Sequence, residues 1–375
     1  MYGDRESVNR WFAFVDRRRF LQEIVVAPWT LHYGGGKNNV NRSATEHQLA
    51  VAWQSDDARA SGGHMRKQLI LYFFAVLTVT GTVTGQQTPD LTYKPPIRRP
   101  AYESEKGPRV AIDEAHYNYH TADGRYKPFA ELLRRDGYRV NGLRELLSAD
   151  SLKSVDVLVI ANALNERNAR VWSLPTPSAF TKDEIDAVRT WVEQGGSFLL
   201  IVDHFPFPGA AGELARAFGM EFSNGYATPG HRKPGIRDTF ERETGLKESA
   251  VTRGRTDDEK ITSVATFVGS AFKAPKSATT ILVFGANSVS VETKKASERT
   301  SETSPKIPIA GWCQGVVMKV GNGRLAVFGE AAMFSAQRYG GQQRPMGMNA
   351  PEAKQNHQLL LNVLHWLTRA EGMPD

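Results

Sequence analysis

Val155-Asp-Val-Leu-Val-Ile-Ala161 and Ser197-Phe-Leu-Leu-Ile-Val202 set the architecture. Each is a short, nearly unbroken apolar run, the pattern of a strand covered on both faces. Between them, Thr181-Lys-Asp-Glu184 has the form of a capping box that opens a helix. Ile185, Val188, Trp191 and Val192 then recur at helical spacing, and Gly195-Gly196 ends the segment. Buried strand, helix, buried strand predicts a parallel sheet with helices on its faces. Toward the N-terminus the same grammar continues. Residues 109–113 read as a first strand, 126–136 as a helix carrying Phe129, Leu132 and Leu133 inward, and 138–143 as a second strand. Toward the C-terminus a helix is expected over 212–218. Residues 223–260 are polar and rich in Gly, Pro and Arg, and read as an inserted loop region. β-type segments follow at 261–268 and 280–285, and the polar stretch 293–306 reads as a mobile loop. Residues 316–320 and 324–328 flank Gly321-Asn322-Gly323, a hairpin signal. A last helix over 356–368 carries Leu359, Leu360, Val363, Leu364 and Leu367. The expected architecture is a flavodoxin-like, three-layer α/β domain with a parallel sheet. A β/loop insertion should lie over the strand C-termini.

The N-terminal quarter reads differently. Met65-Arg66-Lys67 precedes an apolar run over 69–79 and the small-residue exit Val83-Thr84-Gly85. That is the layout of a secretory signal, and the run is shorter than the ~20 residues of a spanning helix. Translation is therefore expected to start at Met65, with 1–64 a spurious N-terminal extension, 65–85 the signal peptide, and 86–107 a Pro-rich linker to a domain over 108–370. The protein is expected to be secreted or periplasmic, touching the membrane only through its export signal. Beyond residue 85 the chain holds 37 basic and 33 acidic residues, a net of +4 over 290 residues. No basic stripe interleaved with aromatics points to nucleic acid. The single cysteine, Cys313, rules out an intramolecular disulfide and any Cys-rich zinc site. Its apolar surroundings read as those of a packed thiol.

Ligands of open parallel sheets bind beyond the C-terminal ends of the strands. After the first strand comes Asp113-Glu114-Ala115-His116-Tyr117-Asn118-Tyr119-His120. After the third comes Asn162, after the fourth Asp203-His204, and after the hairpin Glu330. Ionisable groups meeting at one edge suit general acid–base work, with Asp203, His204 and Glu330 as catalytic candidates. Asp113, Glu114, His116, Asn118, His120 and Asn162 are candidates for ligand binding. Arg253 and Arg255 could clamp an anion. His116, His120 and His204 are candidate ligands for a divalent metal as cofactor. No Gly-x-Ser-x-Gly, phosphate-binding loop or dinucleotide fingerprint is present.

These residues carry a resemblance. Asp113-Glu-Ala-His116-Tyr-Asn118 with His120-Thr121, Gly195-Gly196 through Asp203-His204, Thr252-Arg-Gly-Arg255 with Val264-Ala-Thr-Phe267, and Gly329-Glu-Ala-Ala-Met-Phe334 with Asn356 resemble an uncharacterised bacterial secreted family. That family has a class I glutamine-amidotransferase-like fold. The resemblance covers roughly residues 108–370. It implies that fold and only loosely a ligand. True amidotransferases carry a cysteine on a tight strand-to-helix turn. The turn after the fourth strand reads Asp203-His204-Phe205, so the glutaminase nucleophile is missing, and Cys313 lies too late in the chain to replace it. The leading expectation is a binding domain for a small polar ligand, a carbohydrate or cell-envelope fragment. The alternatives are a hydrolase, with or without a metal, and a structural component of an envelope assembly. Oligomeric state is not legible.

Overall fold

The computed structural model describes residues 87–229, 238–298, 300 and 303–375. The expected extension over 1–64 and the signal over 65–85 lie outside the described residues.

The centre is a nine-stranded mixed sheet. Its strands include β1 (Arg109–Asp113), β2 (Arg139–Leu143), β3 (Val157–Ala161) and β4 (Ser197–Ile201). β5 (Cys313–Val320) and β6 (Gly323–Phe328) form the hairpin. β2, β1, β3, β4 and β6 run parallel, in that order. β5 is antiparallel to β6, and the strands Phe272–Lys273 and Thr279–Val283 are antiparallel to β5. β3 and β4 are buried at every position, and alternation divides their side chains between two cores. Val157, Val159, Ala161, Leu199 and Ile201 join one cluster with residues of helices α1 (Lys127–Arg135) and α4 (Asn356–Leu367). Leu158, Ile160, Phe198 and Leu200 join the other, with α2 (Lys182–Glu193) and α3 (Phe207–Ala217). Helices therefore cover both faces, as two-sided apolar strands require.

The local signals behave as chemistry dictates, with two corrections. Thr181 and Glu184 form the reciprocal capping box of α2. The hairpin turn is Gly321-Asn322, since Val320 pairs with Gly323, and the positive φ of 56° falls on Gly321 rather than on Asn322-Gly323. Glycine at the first central position is the requirement of a type II′ turn. The polar stretch expected to be a mobile loop is tied down in part. Leu174 N donates to Lys294 O at 2.9 Å and Ala296 N to Trp172 O at 2.9 Å, so Lys294–Ala296 backbone holds the Trp172 segment.

The expected linker is also corrected. Thr88–Pro89 pairs with the strand Ala336–Tyr339. Asp90, 6 % exposed, accepts from Arg338 Nε and Asn349 Nδ2, both at 2.9 Å. Tyr93, Ile97 and Tyr102 pack on the α1/α4 core. At Gly137 (φ 95°), a Cβ would lie 2.4 Å from Tyr102 O, so only glycine admits this close passage. Proline and charge marked the segment as a tether, but its few apolar side chains were enough to dock it.

The inserted region is not simply loop. It contributes Gly225–Thr228, which pairs with Val289–Glu292, itself paired with Lys306–Pro308. This small antiparallel sheet brings Tyr226 beside β4's C-terminal end, where Phe205 N donates to Gly225 O.

Candidate functional site

From β1 the chain crosses to β2 on one side and returns to β3 on the other. Between β1 and β3 the direction of winding reverses, the switch point beyond whose strand C-termini open α/β sheets bind their ligands. The loop leaving β1 runs from that edge.

That loop is held by its own polar residues. Asp113, fully buried, accepts from His116 Nδ1 at 2.9 Å, from Asn118 Nδ2 at 2.9 Å and from Ala115 N at 3.2 Å. Asn118 Oδ1 accepts from His116 N at 3.0 Å. The other ring nitrogen of His116 meets Glu184 Oε1 at 2.9 Å. Burial works against charge on this ring, but the hydrogen bonds and charges of Asp113 and then Glu184 outweigh it and raise the pKa of His116. Glu184, despite its own burial, is held below its ordinary value by the Thr181 N–H and by His116. The result is an imidazolium between two carboxylates, joining the β1 loop to the N-terminus of α2. Glu114 closes the same loop, accepting from Ala122 N at 2.9 Å and Arg144 Nε at 3.2 Å. Of the residues expected to bind a ligand, Asp113, His116 and Asn118 are thus engaged with one another, and Glu114 with Ala122 and Arg144. The sequence did not point to Glu184's part in this, because its capping-box signature already explained it.

His120, Asn162, Asp203 and Glu330 do converge. Asn162 is 1 % exposed and has φ 53°, a strained value for a non-glycine residue. Its Nδ2 lies 3.3 Å from His120 Nδ1, and its Oδ1 accepts from Asp203 N at 2.9 Å. The strained turn at a strand end is therefore at Asn162, after β3, and not at Asp203-His204-Phe205. His120 Nε2 is buried without a partner among the described residues. Burial and then Arg125 hold its pKa well below the usual histidine value, so the ring is neutral. Asp203 accepts from His204 N at 2.7 Å and from the backbone of Ala331. Glu330, fully buried, accepts from Ala332 N and Met333 N, each at 2.7 Å. Burial raises both carboxyls, and the charge of Asp203 raises Glu330 further. A carboxyl pair of this kind retains a proton that isolated carboxylates would lose.

His204 faces outward from this pair. Its Nδ1 donates to Phe205 O at 2.8 Å. The ring stacks on Tyr226 with centroids 4.5 Å apart, and Trp172 lies 6.5 Å away. Tyr119 is 5.4 Å from Trp172, and its hydroxyl donates to Gln87 Oε1 at 3.4 Å. Tyr119, Trp172, His204 and Tyr226 are all half-buried, forming an aromatic wall beside the acid pair. No local sequence signal marks Tyr226, because it lies in a polar, Gly- and Pro-rich segment whose strand Gly225–Thr228 is defined by its pairing with Val289–Glu292.

The other expected groups are elsewhere. Arg255 pairs with Glu259, and its Nη2 donates to Arg99 O at 2.6 Å. It borders a cavity of about 250 Å³ with Arg99 and His365, near the C-terminal half of α4. Arg253 makes a surface ion pair with Glu248 at 3.5 Å. A second cavity, about 570 Å³, lies at the opposite edge of the sheet beside Gly107, Arg139 and Ser197. The three candidate metal ligands are not gathered: His116 faces Asp113 and Glu184, His120 faces Asn162, and His204 faces Phe205 O. Among the described residues no group of three His, Cys, Asp or Glu side chains is placed to hold a metal ion. Cys313 is buried, and burial raises its thiol pKa.

No protein-family model and no curated protein matches the chain. Among solved structures it is similar to the mmIFT52 N-terminal domain, at 15 % identity and TM-score 0.49, over 70 % of this chain and 98 % of that one. A protein described as ThuA-like from Bacteroides uniformis matches at 14 % identity and TM-score 0.40, over 74 % and 95 %. A protein described as part of a GMP synthase from Thermoplasma acidophilum matches at 10 % identity and TM-score 0.35, over 68 % and 92 %.

Proposed function

We propose that this chain is an exported binding domain that takes a small polar ligand, a carbohydrate or cell-envelope fragment, at the C-terminal edge of β1, β3 and β4. The observation that carries this reading is the wall of Tyr119, Trp172, His204 and Tyr226 beside the buried Asp203 and Glu330. Amphipathic rings supply flat apolar area with polar tips, and a few placed polar groups orient a ligand. That combination suits a sugar. The fold is read as flavodoxin-like and of the class I glutamine-amidotransferase-like kind without its nucleophile, a reading supported by the strand order β2-β1-β3-β4-β6. Export rests on the pattern over residues 65–85, and N-terminal sequencing of the mature protein should find a start near Gln86.

Glycan-array binding and thermal shift with the hits test the ligand. A sugar should stabilise the wild type but not a folded Trp172→Ala variant. No array binding together with no shift would remove the proposal. A second reading, a hydrolase, is favoured by one observation. His204, whose Nδ1 is committed to Phe205 O, directly follows Asp203, and the Asp203 and Glu330 carboxyls are raised toward their protonated forms, a set of groups of the kind that acid–base catalysis uses. Hydrolytic activity that survived intact in both His204→Ala and Glu330→Gln would rule this reading out.

A further inference from the structure

We infer that the ligand of this site carries an anionic group, a carboxylate on a sugar, and that Arg125 receives it. The inference rests on the carbohydrate reading of the site and adds the charge of the ligand.

Arg125 precedes α1 and stands against the aromatic wall. Its guanidinium carbon lies 3.7 Å from the centroid of the Tyr119 ring. Nη1 donates to Tyr119 O at 3.3 Å, and Nε is buried without an acceptor. Arg109 meets Asp156, Arg255 meets Glu259, Arg324 meets Asp375 and Arg338 meets Asp90, whereas Arg135, Arg139 and Arg242 donate to backbone carbonyls as Arg125 does; of these four, Arg125 stands against the aromatic wall. No carboxylate pairs with Arg125 among the described residues. The acids of the site do not supply the missing charge. Asp203 is taken by the backbone of His204 and Ala331 and by Asn162, and Glu330 is turned to the Ala332 and Met333 N–H groups. Glu114, on the same loop, is taken by Ala122 N and Arg144.

A half-buried guanidinium without a counter-ion is costly to hold. Its planar fork matches a carboxylate better than it matches a hydroxyl. Stacking on Tyr119 fixes that fork in place beside the surface where a sugar ring would lie. A neutral sugar would leave the charge uncompensated, whereas an acidic sugar would complete it.

The test is titration calorimetry with two probe pairs: N-acetylmuramic acid against N-acetylglucosamine, and glucuronate against glucose. The acidic member should bind about tenfold tighter or more to the wild type, the scale of a charge-assisted contact. Arg125→Gln should bring the two members of each pair to similar affinity, and Arg125→Lys should keep part of the preference. Circular dichroism establishes that each variant is folded, and the Lys variant serves if the Gln variant is not. Equal binding of both members by the wild type, or an unchanged ratio in Arg125→Gln, overturns the inference while the carbohydrate reading stands. If none of the four sugars binds and the glycan array gives no binder either, the carbohydrate reading falls, and citrate decides about Arg125. Citrate binding lost in Arg125→Gln supports an anion site there, and no citrate binding, or citrate binding unchanged in Arg125→Gln, overturns it.

Discussion

The clamp around His116 gives the sharpest test of how this site is held. His116→Ala removes an imidazolium, 4 % exposed, from between Asp113 and Glu184. Two buried carboxylates are left facing each other across the gap. Asp113 keeps Asn118 and Ala115 as donors, and Glu184 keeps Thr181. Neither keeps a counter-charge. Removing one partner of a buried ion pair costs about 3–5 kcal/mol. An unfolding entropy of about 2.1 cal/mol/K per residue, over the roughly 290 residues after the expected signal, is about 0.6 kcal/mol/K. The melting temperature should therefore fall by about 5–8 °C at pH 6. The pH dependence follows from the direction of the shift. The folded pKa of His116 is raised above its ordinary 6.5, so its stabilisation is fully present below that value. It is lost as pH rises through the folded pKa. The difference between wild type and His116→Ala should be largest at acid-to-neutral pH and shrink in alkali. Thermal melts by circular dichroism from pH 5 to 10 measure this, with Glu184→Gln completing a double-mutant cycle. A difference below about 1 °C, a difference independent of pH, or additive single mutations in the cycle would refute the clamp.

Three further outcomes follow from the same geometry. Glu330, raised by burial and by Asp203 above its ordinary 4.5, contributes stability that is present below that value and lost as pH rises through its folded pKa. Wild-type melts should thus decline relative to Glu330→Gln between pH 4 and 8, and parallel curves would contradict the buried acid pair. Asp90→Ala should free the Thr88–Pro89 strap by removing the acceptor of Arg338 and Asn349. Limited trypsin digestion should then cut after Arg98, which unlike Lys94 and Arg99 is not followed by proline, several times faster, with about 1–2 kcal/mol lost in denaturant melts; unchanged cleavage would mean that this contact does not hold the segment. Arg255→Ala should cost about 3–5 kcal/mol by stranding the buried Glu259, while any sugar affinity at the strand C-terminal edge stays within twofold. A larger loss of affinity would return Arg255 to the site.

The sheet and its covering are legible in the sequence alone. A strand buried on both faces has to be apolar throughout, and β3 and β4 announce this in five consecutive residues each. A helix start written as Thr181-Lys-Asp-Glu184 is equally local, because the cap closes within one turn. So is the absence of a cysteine at any early strand end. Which polar groups meet is a different matter, settled only when the chain packs. His116 and Glu184 are 68 residues apart, and their contact depends on where the β1 loop passes relative to α2. Arg253-Gly254-Arg255 has the local sequence of an anion clamp, yet the partners of Arg255 are Glu259 and the backbone of Arg99. The aromatic wall draws Tyr119, Trp172, His204 and Tyr226 from four separate segments, one of them held by the Lys294–Ala296 backbone. Periodicity and capping act over a few residues and leave a mark there. The partner of a buried charge is chosen by the path of the chain through space, and no short stretch of sequence records that choice.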